Sequence, residues 1–87
     1  ALESPDPDTR VRVMRSLGRL GGSEATGVLR DAVARPELMD AEKAHGIRAL
    51  SMIDSAEARE TLAALDSKRL PKPLADELHR ARDHSAD

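Results

Sequence analysis

The chain has 87 residues, enough for one small domain with a single core. It contains no Phe, Tyr, Trp or Cys, so the core must be aliphatic, and a disulfide framework or a thiolate metal site is excluded. The net charge of −2 gives no overall electrostatic reason to bind nucleic acid or an anionic membrane, and no apolar run approaches membrane-spanning length.

The first predicted helix covers residues 7–20 and has a defined start and end. Asp6 is a good N-cap, and Pro7 suits the first helical position, where its missing N–H costs nothing. Gly18 lets a neighbouring backbone come close, and Gly21 ends the helix. The apolar positions that predict a core-facing stripe are Val11, Val13, Met14, Leu17 and Leu20.

The second predicted helix covers residues 24–34, with Ser23 as its N-cap. Gly27 lies inside it, and we expect this glycine to mark close contact with the first helix. Arg35 precedes Pro36 and is therefore pushed out of helical geometry, which ends the helix. The apolar face consists of Val28, Leu29, Ala32 and Val33.

The third predicted helix covers residues 40–53. The fourth is capped by Asp54 or Ser55, and Asp54 has capping-box spacing to Glu57. A polar connector over residues 66–72 precedes a fifth helix. The predicted inward positions are Ala44, Ile47, Leu50 and Ile53 on the third helix, Ala58, Leu62 and Leu65 on the fourth, and Leu74, Leu78 and Ala81 on the fifth, which begins at Pro73.

The first helix pair recurs along the chain. A shift of 33 residues places Arg15 on Arg48 and Leu29 on Leu62. A helix pair recurring at this period predicts an all-α, α-solenoid fold of about five helices, and the alternative is two unrelated amphipathic hairpins in a bundle. The predicted single domain covers residues 1–87, with repeat 1 at about 6–35, repeat 2 at about 39–66 and a terminal capping helix at about 73–84.

Several of these runs resemble a known repeat. They are Asp6-Pro7-Asp8-Thr9-Arg10, Val13-Met14, Ser16-Leu17-Gly18 and Leu20-Gly21, followed by Ala25 and Leu29. The pattern is similar to the HEAT-like repeat of phycobilisome-lyase-type and many bacterial proteins, with about two repeats plus a terminal helix. The second unit is looser, with Lys43 for the arginine and Ser51 for the glycine. The resemblance implies first helices on a convex side and second helices on a concave side, and no particular substrate.

Candidate catalytic and metal groupings are weak. Glu42 and His45 have the Glu-x-x-His spacing of di-iron bundles, but Thr9 and Arg12 stand at the corresponding positions of the first unit. The Gly-Gly-Ser run at 21–23 is a helix connector and not a phosphate-binding loop. No nucleophile has a plausible base and orienting group. We therefore predict no enzyme, no catalytic or metal residues and no cofactor.

Arginines form the most prominent charged pattern. Arg12, Arg15 and Arg19 line one stripe of the first helix, and Arg48 extends it on the third. The stripe is either a solvated outer face or a surface for an acidic protein. Because there are no aromatic side chains to stack on bases, nucleic acid is not expected. Arg10 is a separate case.

We expect Arg10 to form a structural ion pair with Asp6 or Asp8, or to bond a carbonyl oxygen between helices. Its position early in the first helix places it near both acidic residues.

The predicted function is a non-catalytic protein–protein interaction or scaffold module, and the predicted partner is another protein. Since the chain begins at Ala1, we expect it to be part of a larger protein or assembly; the compartment is open, with the cytoplasm as default. The alternative is an accessory unit of a lyase-type enzyme that holds a small ligand in the concave groove. The candidate partner-binding residues, on the second and fourth helices, are Glu24, Arg30, Asp31, Glu57 and Glu60, and the rival site is the stripe of Arg12, Arg15 and Arg19.

Overall fold

The computed structural model describes the chain from Asp6 to Ala86, with side chains described as far as Asp83. This part of the chain is mostly helical and has no strand, which confirms the predicted all-α class and the five helices. A short 3₁₀ turn joins the last two helices. The α-helices are α1 (Pro7–Leu20), α2 (Gly22–Ala34), α3 (Asp40–Met52), α4 (Ala56–Ala64) and α5 (Lys72–Ala86), and the 3₁₀ turn is Ser67–Arg69.

The start of α1 follows from local chemistry and agrees with the prediction. Asp6 is the N-cap, and its Oδ1 accepts the backbone N–H of Asp8 at 3.2 Å. Its Oδ2 accepts the Thr9 hydroxyl at 2.9 Å. The Asp6 carboxylate thereby pairs one of the backbone N–H groups that a helix start leaves without a partner, and the Thr9 hydroxyl holds the carboxylate in place, so α1 has one defined beginning.

The turn between α1 and α2 differs from the prediction. Gly21 and Gly22 both have positive φ values, 72° and 91°, a conformation that glycine adopts without steric cost. This tight turn lets α2 begin at Gly22, so Ser23 lies inside its first turn and is not the N-cap. The Ser23 hydroxyl instead donates to Glu57 Oε1 at 3.2 Å and links the first turns of α2 and α4.

The start of α4 uses one of the two predicted caps. Ser55 Oγ accepts the Ala58 backbone N–H at 3.1 Å, so Ser55 is the N-cap. Asp54 points outward and accepts a hydrogen bond from Arg59 Nη1 at 3.1 Å. The predicted capping box of Asp54 and Glu57 was therefore wrong, because the residue after Asp54 occupies the capping position.

The third helix is the centre of the arrangement. It packs against α1 on one side and α5 on the other, and within the described part α1 and α5 do not contact each other. It also packs against α2 and α4. The core is aliphatic, and burying each such side chain contributes about 1.5–3 kcal/mol before entropy is counted. Its largest fully buried apolar members are Met14, Leu29, Ile47, Leu50, Leu62, Leu74 and Leu78.

The buried face of α1 is rotated from the predicted one. Leu20 was expected in the core stripe but is 80% exposed. The buried positions of α1 are Met14 and Gly18, while Val13 and Leu17 are half-buried. The reason is the close packing of α3 on α1 at Gly18: Leu20, two residues further on, is about 200° around the helix and faces away from that contact.

Gly18 and Gly27, each inside a helix, have different environments. A Cβ on Gly18 would lie 3.1 Å from the Cα and carbonyl oxygen of Ala49, which confirms that Gly18 allows a close backbone approach. A Cβ on Gly27 would meet only Arg30 Nη2, at 3.7 Å. The expectation that Gly27 marks contact with α1 was therefore wrong, because nothing of α1 lies near it.

Candidate functional site

Arg10 and Glu42 form a buried ion pair between α1 and α3. Arg10 Nε donates to Glu42 Oε2 at 2.6 Å, and Nη2 donates to Oε1 at 2.9 Å, which is a bidentate geometry. The two side chains are only 13% and 2% exposed. Arg10 thus has the structural role that was predicted, but Glu42, a partner 32 residues away, was missed.

The pair keeps Glu42 ionised. Hydrogen bonding from Arg10 lowers the pKa of Glu42 below its ordinary value, against the opposing effect of burial, and a backbone hydrogen bond at Met39 lowers it further. The same hydrogen bond raises the pKa of Arg10. Because both oxygens of Glu42 are occupied by the guanidinium, this carboxylate is poorly placed to act with His45 as a base or a metal ligand. Among residues 6–83 no cluster of three or more His, Asp or Glu side chains could hold a metal ion.

Two adjoining depressions follow the seam between α1 and α3. The one nearer the helix starts has a volume of about 400 Å³ and is bounded by Met39. The other has a volume of about 300 Å³ and is bounded by Met52. Arg15 and His45 line both, so the two are continuous. We call this groove the basic furrow; its polar lining is mostly basic and consists of Asp8, Arg12, Arg15, Arg19, Glu42, His45 and Arg48.

The predicted arginine stripe thus forms the wall of a groove. Arg12, Arg15 and Arg19 are exposed. The structure shows no ion pair or hydrogen bond of their side chains with any other residue in the described part of the chain. Arg48, on α3, lines the same depression as Arg15 and Arg19. Its Nη2 donates to Glu77 Oε1 on α5 at 3.0 Å, yet the Arg48 side chain stays 59% exposed. The furrow is therefore an open surface with several available guanidinium groups.

The predicted partner-binding residues of α2 and α4 lie elsewhere. All five are exposed, and none lines either depression of the basic furrow. Arg30 and Asp31 approach each other at 3.7 Å, and Glu57 accepts the Ser23 hydroxyl. These residues carry both signs of charge, and their role in binding stays a prediction. The set is Glu24, Arg30, Asp31, Glu57 and Glu60.

Two polar contacts of α5 were not predicted. Glu77 is buried to 6% exposure and accepts from Arg48 and, at 3.4 Å, from Arg80. Arg82 Nη2 donates to the carbonyl oxygens of Leu62 and Leu65, at 3.0 and 2.5 Å, and so satisfies the end of α4. Both contacts join residues that are far apart in sequence, and helical periodicity carries no signal for them.

Comparisons of this chain with protein-family models, with curated proteins and with solved structures find no match. The HEAT-like resemblance therefore remains a prediction from the sequence. None of the helices in the described part is both long and apolar enough to span a bilayer.

Proposed function

We propose that this chain is a non-catalytic protein-interaction module built as a short HEAT-like solenoid. The order of helix contacts supports the solenoid: α1, α3 and α5 touch in succession, and α2 touches α4. The smallest dimension of the molecule is 15 Å. That is the Cα thickness of two helix layers, since each helix has a Cα radius of about 2.3 Å and packed axes lie about 8–10 Å apart.

The basic furrow is the observation that carries the binding role. A chain with a net charge of −2 places four arginines along one concave seam, and three of them have no described carboxylate partner. Exposed guanidinium groups that do not stabilise their own fold are well suited to pair with carboxylates of another molecule.

A ligand-holding unit of the lyase type has less support. Small-molecule sites enclose most of their ligand. Each depression of the furrow is instead open to solvent, with apolar side chains beside the charged ones and with Met39 and Met52 at opposite ends. An open groove favours a protein partner over a small ligand.

Crosslinking in the native host tests the proposal. We expect a reproducible protein partner whose crosslinks are lost when one of two surfaces is reversed in charge, either by Arg15→Glu with Arg19→Glu or by Glu57→Lys with Glu60→Lys. The circular dichroism spectrum of each variant shows whether it is folded. A chain that copurifies with a small chromophore or metal, and crosslinks to no protein, would contradict the proposed function.

A further inference from the structure

We infer that the basic furrow binds an acidic helical segment of the partner protein, with apolar residues near both ends of that segment. This inference rests on the proposed function and adds the surface and the chemistry of the partner. It selects the seam of α1 and α3 over the mixed-charge surface of α2 and α4.

The spacing of the arginines matches a helical ligand. Arg12, Arg15 and Arg19 stand at i, i+3 and i+7 of α1, so they share one face of that helix and extend over about 10 Å. Carboxylates at the same intervals on a partner helix would repeat at the same distance. Each arginine could then pair with one carboxylate in the bidentate geometry that Arg10 and Glu42 already show.

The length and the ends of the furrow fit one short helix. Met39 and Met52 bound it, and the thirteen residues of α3 between its ends give a length of about 20 Å. Their side chains are 57% and 48% exposed, which makes them two of the three large exposed hydrophobics in the described part. Methionine adapts to varied apolar shapes, so each can receive a leucine or isoleucine of the ligand.

On the α3 side of the furrow, Arg48 is held in position by a residue of α5. Glu77 is itself buried and accepts one hydrogen bond from Arg48 Nη2, which directs the guanidinium along the wall. A guanidinium has five N–H donors, so Arg48 keeps donors for an incoming carboxylate. Because this arginine is already held in place, less conformational entropy is lost when a partner binds.

Charge and composition favour an acidic protein segment over a nucleic acid. The chain has no aromatic side chain to stack on a base, and its net charge of −2 opposes a long polyanion that extends past the furrow. Asp8 also lines the furrow and would lie near a phosphate backbone. A short acidic helix can avoid Asp8 and use the methionines, which a phosphate backbone cannot.

The test uses a fluorescein-labelled, helix-forming peptide of about 18 residues. It carries Glu at i, i+3 and i+7 on one face, with two Leu residues about 14 positions apart near its ends, so that they lie on the same face. A matched peptide carries Gln in place of Glu. In fluorescence anisotropy we expect the Gln peptide to bind at least about tenfold more weakly, and the binding of the Glu peptide to weaken with added salt.

Two variants with the same change in net charge show whether peptide binding depends on the charges of the furrow or only on the net charge of the chain. Arg15→Glu with Arg19→Glu reverses the furrow, and we expect it to weaken the binding of the Glu peptide by at least about tenfold. Arg30→Glu with Arg59→Glu reverses exposed arginines of α2 and α4, and we expect less than about a threefold change. If the furrow variant is not folded, Arg15→Gln with Arg19→Gln replaces it, and at least about a fivefold loss is expected.

The inference would be overturned by equal affinity for the Glu and Gln peptides, by equal losses in the two variants, or by binding of a duplex DNA as tight as that of the Glu peptide. Self-association of the chain that is abolished by the furrow variant, without peptide binding, would assign the furrow to a second copy and also overturn it. Loss of native crosslinks only on Glu57→Lys with Glu60→Lys would refute the inference but leave the proposed function standing.

Discussion

The two sides of α3 each carry an arginine–glutamate pair, and the two pairs differ in their exposure to water. On the α1 side, Arg10 and Glu42 are 13% and 2% exposed and share two hydrogen bonds. On the α5 side, the Glu77 side chain is 8% exposed. The Arg48 side chain is 59% exposed and donates one described hydrogen bond. The carboxylates of both pairs are shielded from water. Of the two arginines, only Arg10 is shielded from water as well.

The difference separates a pair that both belongs to the fold and is enclosed by it from an arginine that the proposed partner could reach. The enclosed pair commits both of its members to the fold, since neither can be removed without leaving the other poorly solvated. In the open pair, the Glu77 side chain is buried, whereas the Arg48 side chain is exposed and lines the furrow. We therefore expect changes at Glu42 to alter stability and changes at Arg48 to alter binding.

The largest expected effect is that of Glu42→Gln, which removes the charge opposite Arg10. We expect a loss of about 2 kcal/mol of unfolding free energy, less than the roughly 3–5 kcal/mol of a fully buried pair, because Arg10 keeps some contact with water. In a domain of this size that lowers Tm by roughly 10 °C. Thermal and urea unfolding followed by circular dichroism measure it. Glu77→Gln is the control, and an equal loss there would remove the distinction between the two pairs.

The same pair predicts a pH dependence of stability. Since the pKa of Glu42 is lowered in the folded state from an ordinary value of 4.5, its contribution is fully present above about pH 4.5. It is lost as the pH falls through the lowered folded value, because the unfolded state then binds more protons. Below pH 4.5 the urea midpoint should therefore fall more steeply for the wild type than for Glu42→Gln. Parallel pH curves would show that Glu42 does not contribute to acid unfolding.

Two glycine-to-alanine substitutions test how closely α1 packs against α3. Alanine in a helix gains up to about 1 kcal/mol over glycine, and at Gly27, where the space is open, we expect most of that gain. At Gly18 the new Cβ would lie 3.1 Å from the backbone of Ala49, so we expect a loss of about 1 kcal/mol instead. Urea midpoints compare the two variants. A stabilised Gly18→Ala would show that α1 and α3 can separate without cost.

The end of α4 gives a smaller effect. Arg82→Ala removes the guanidinium that bonds the carbonyl oxygens of Leu62 and Leu65, and we expect a loss of about 1 kcal/mol. Amide hydrogen exchange should then quicken at the end of α4 and in the following 3₁₀ turn. Arg80→Ala is the matched control on α5, because Arg80 is 67% exposed and bonds only Glu77 in the described part. Equal effects would mean that the carbonyl contact is unimportant.

The smallest stability effect is expected for Arg48→Gln. The Arg48 guanidinium is open to water and Glu77 keeps a second arginine, Arg80, at 3.4 Å, so we expect a loss below about 1 kcal/mol and a change in Tm of only a few degrees. The affinity for the Glu peptide should nevertheless fall by about threefold. A variant that loses stability like Glu42→Gln would show that the α5 side depends on its pair as the α1 side does.

Much of the helical organisation could be predicted because its causes are local. The cap at Asp6, proline at position 7 and the stop at Gly21 act within a few residues, and the bounds of α1 agree with the structure. The arginine stripe was also correct as a set, since i, i+3 and i+7 positions always share a face. Ser23 failed as a cap because two adjacent glycines allowed an earlier helix start.

The sequence by itself determined the helix class, the number of helices and the face on which Arg12, Arg15 and Arg19 lie, because short-range periodicity and capping decide those features. The tertiary structure alone decided which residues meet across α3. Glu42 meets Arg10 from 32 positions away, and Arg82 meets the end of α4 from 17 to 20 positions away. Such contacts depend on how far apart packed helices lie and on how they are rotated about their axes. For α1 and α3, the close approach at Gly18 sets both the distance and the rotation. Leu20 therefore lies outside the core, and the arginines line a groove.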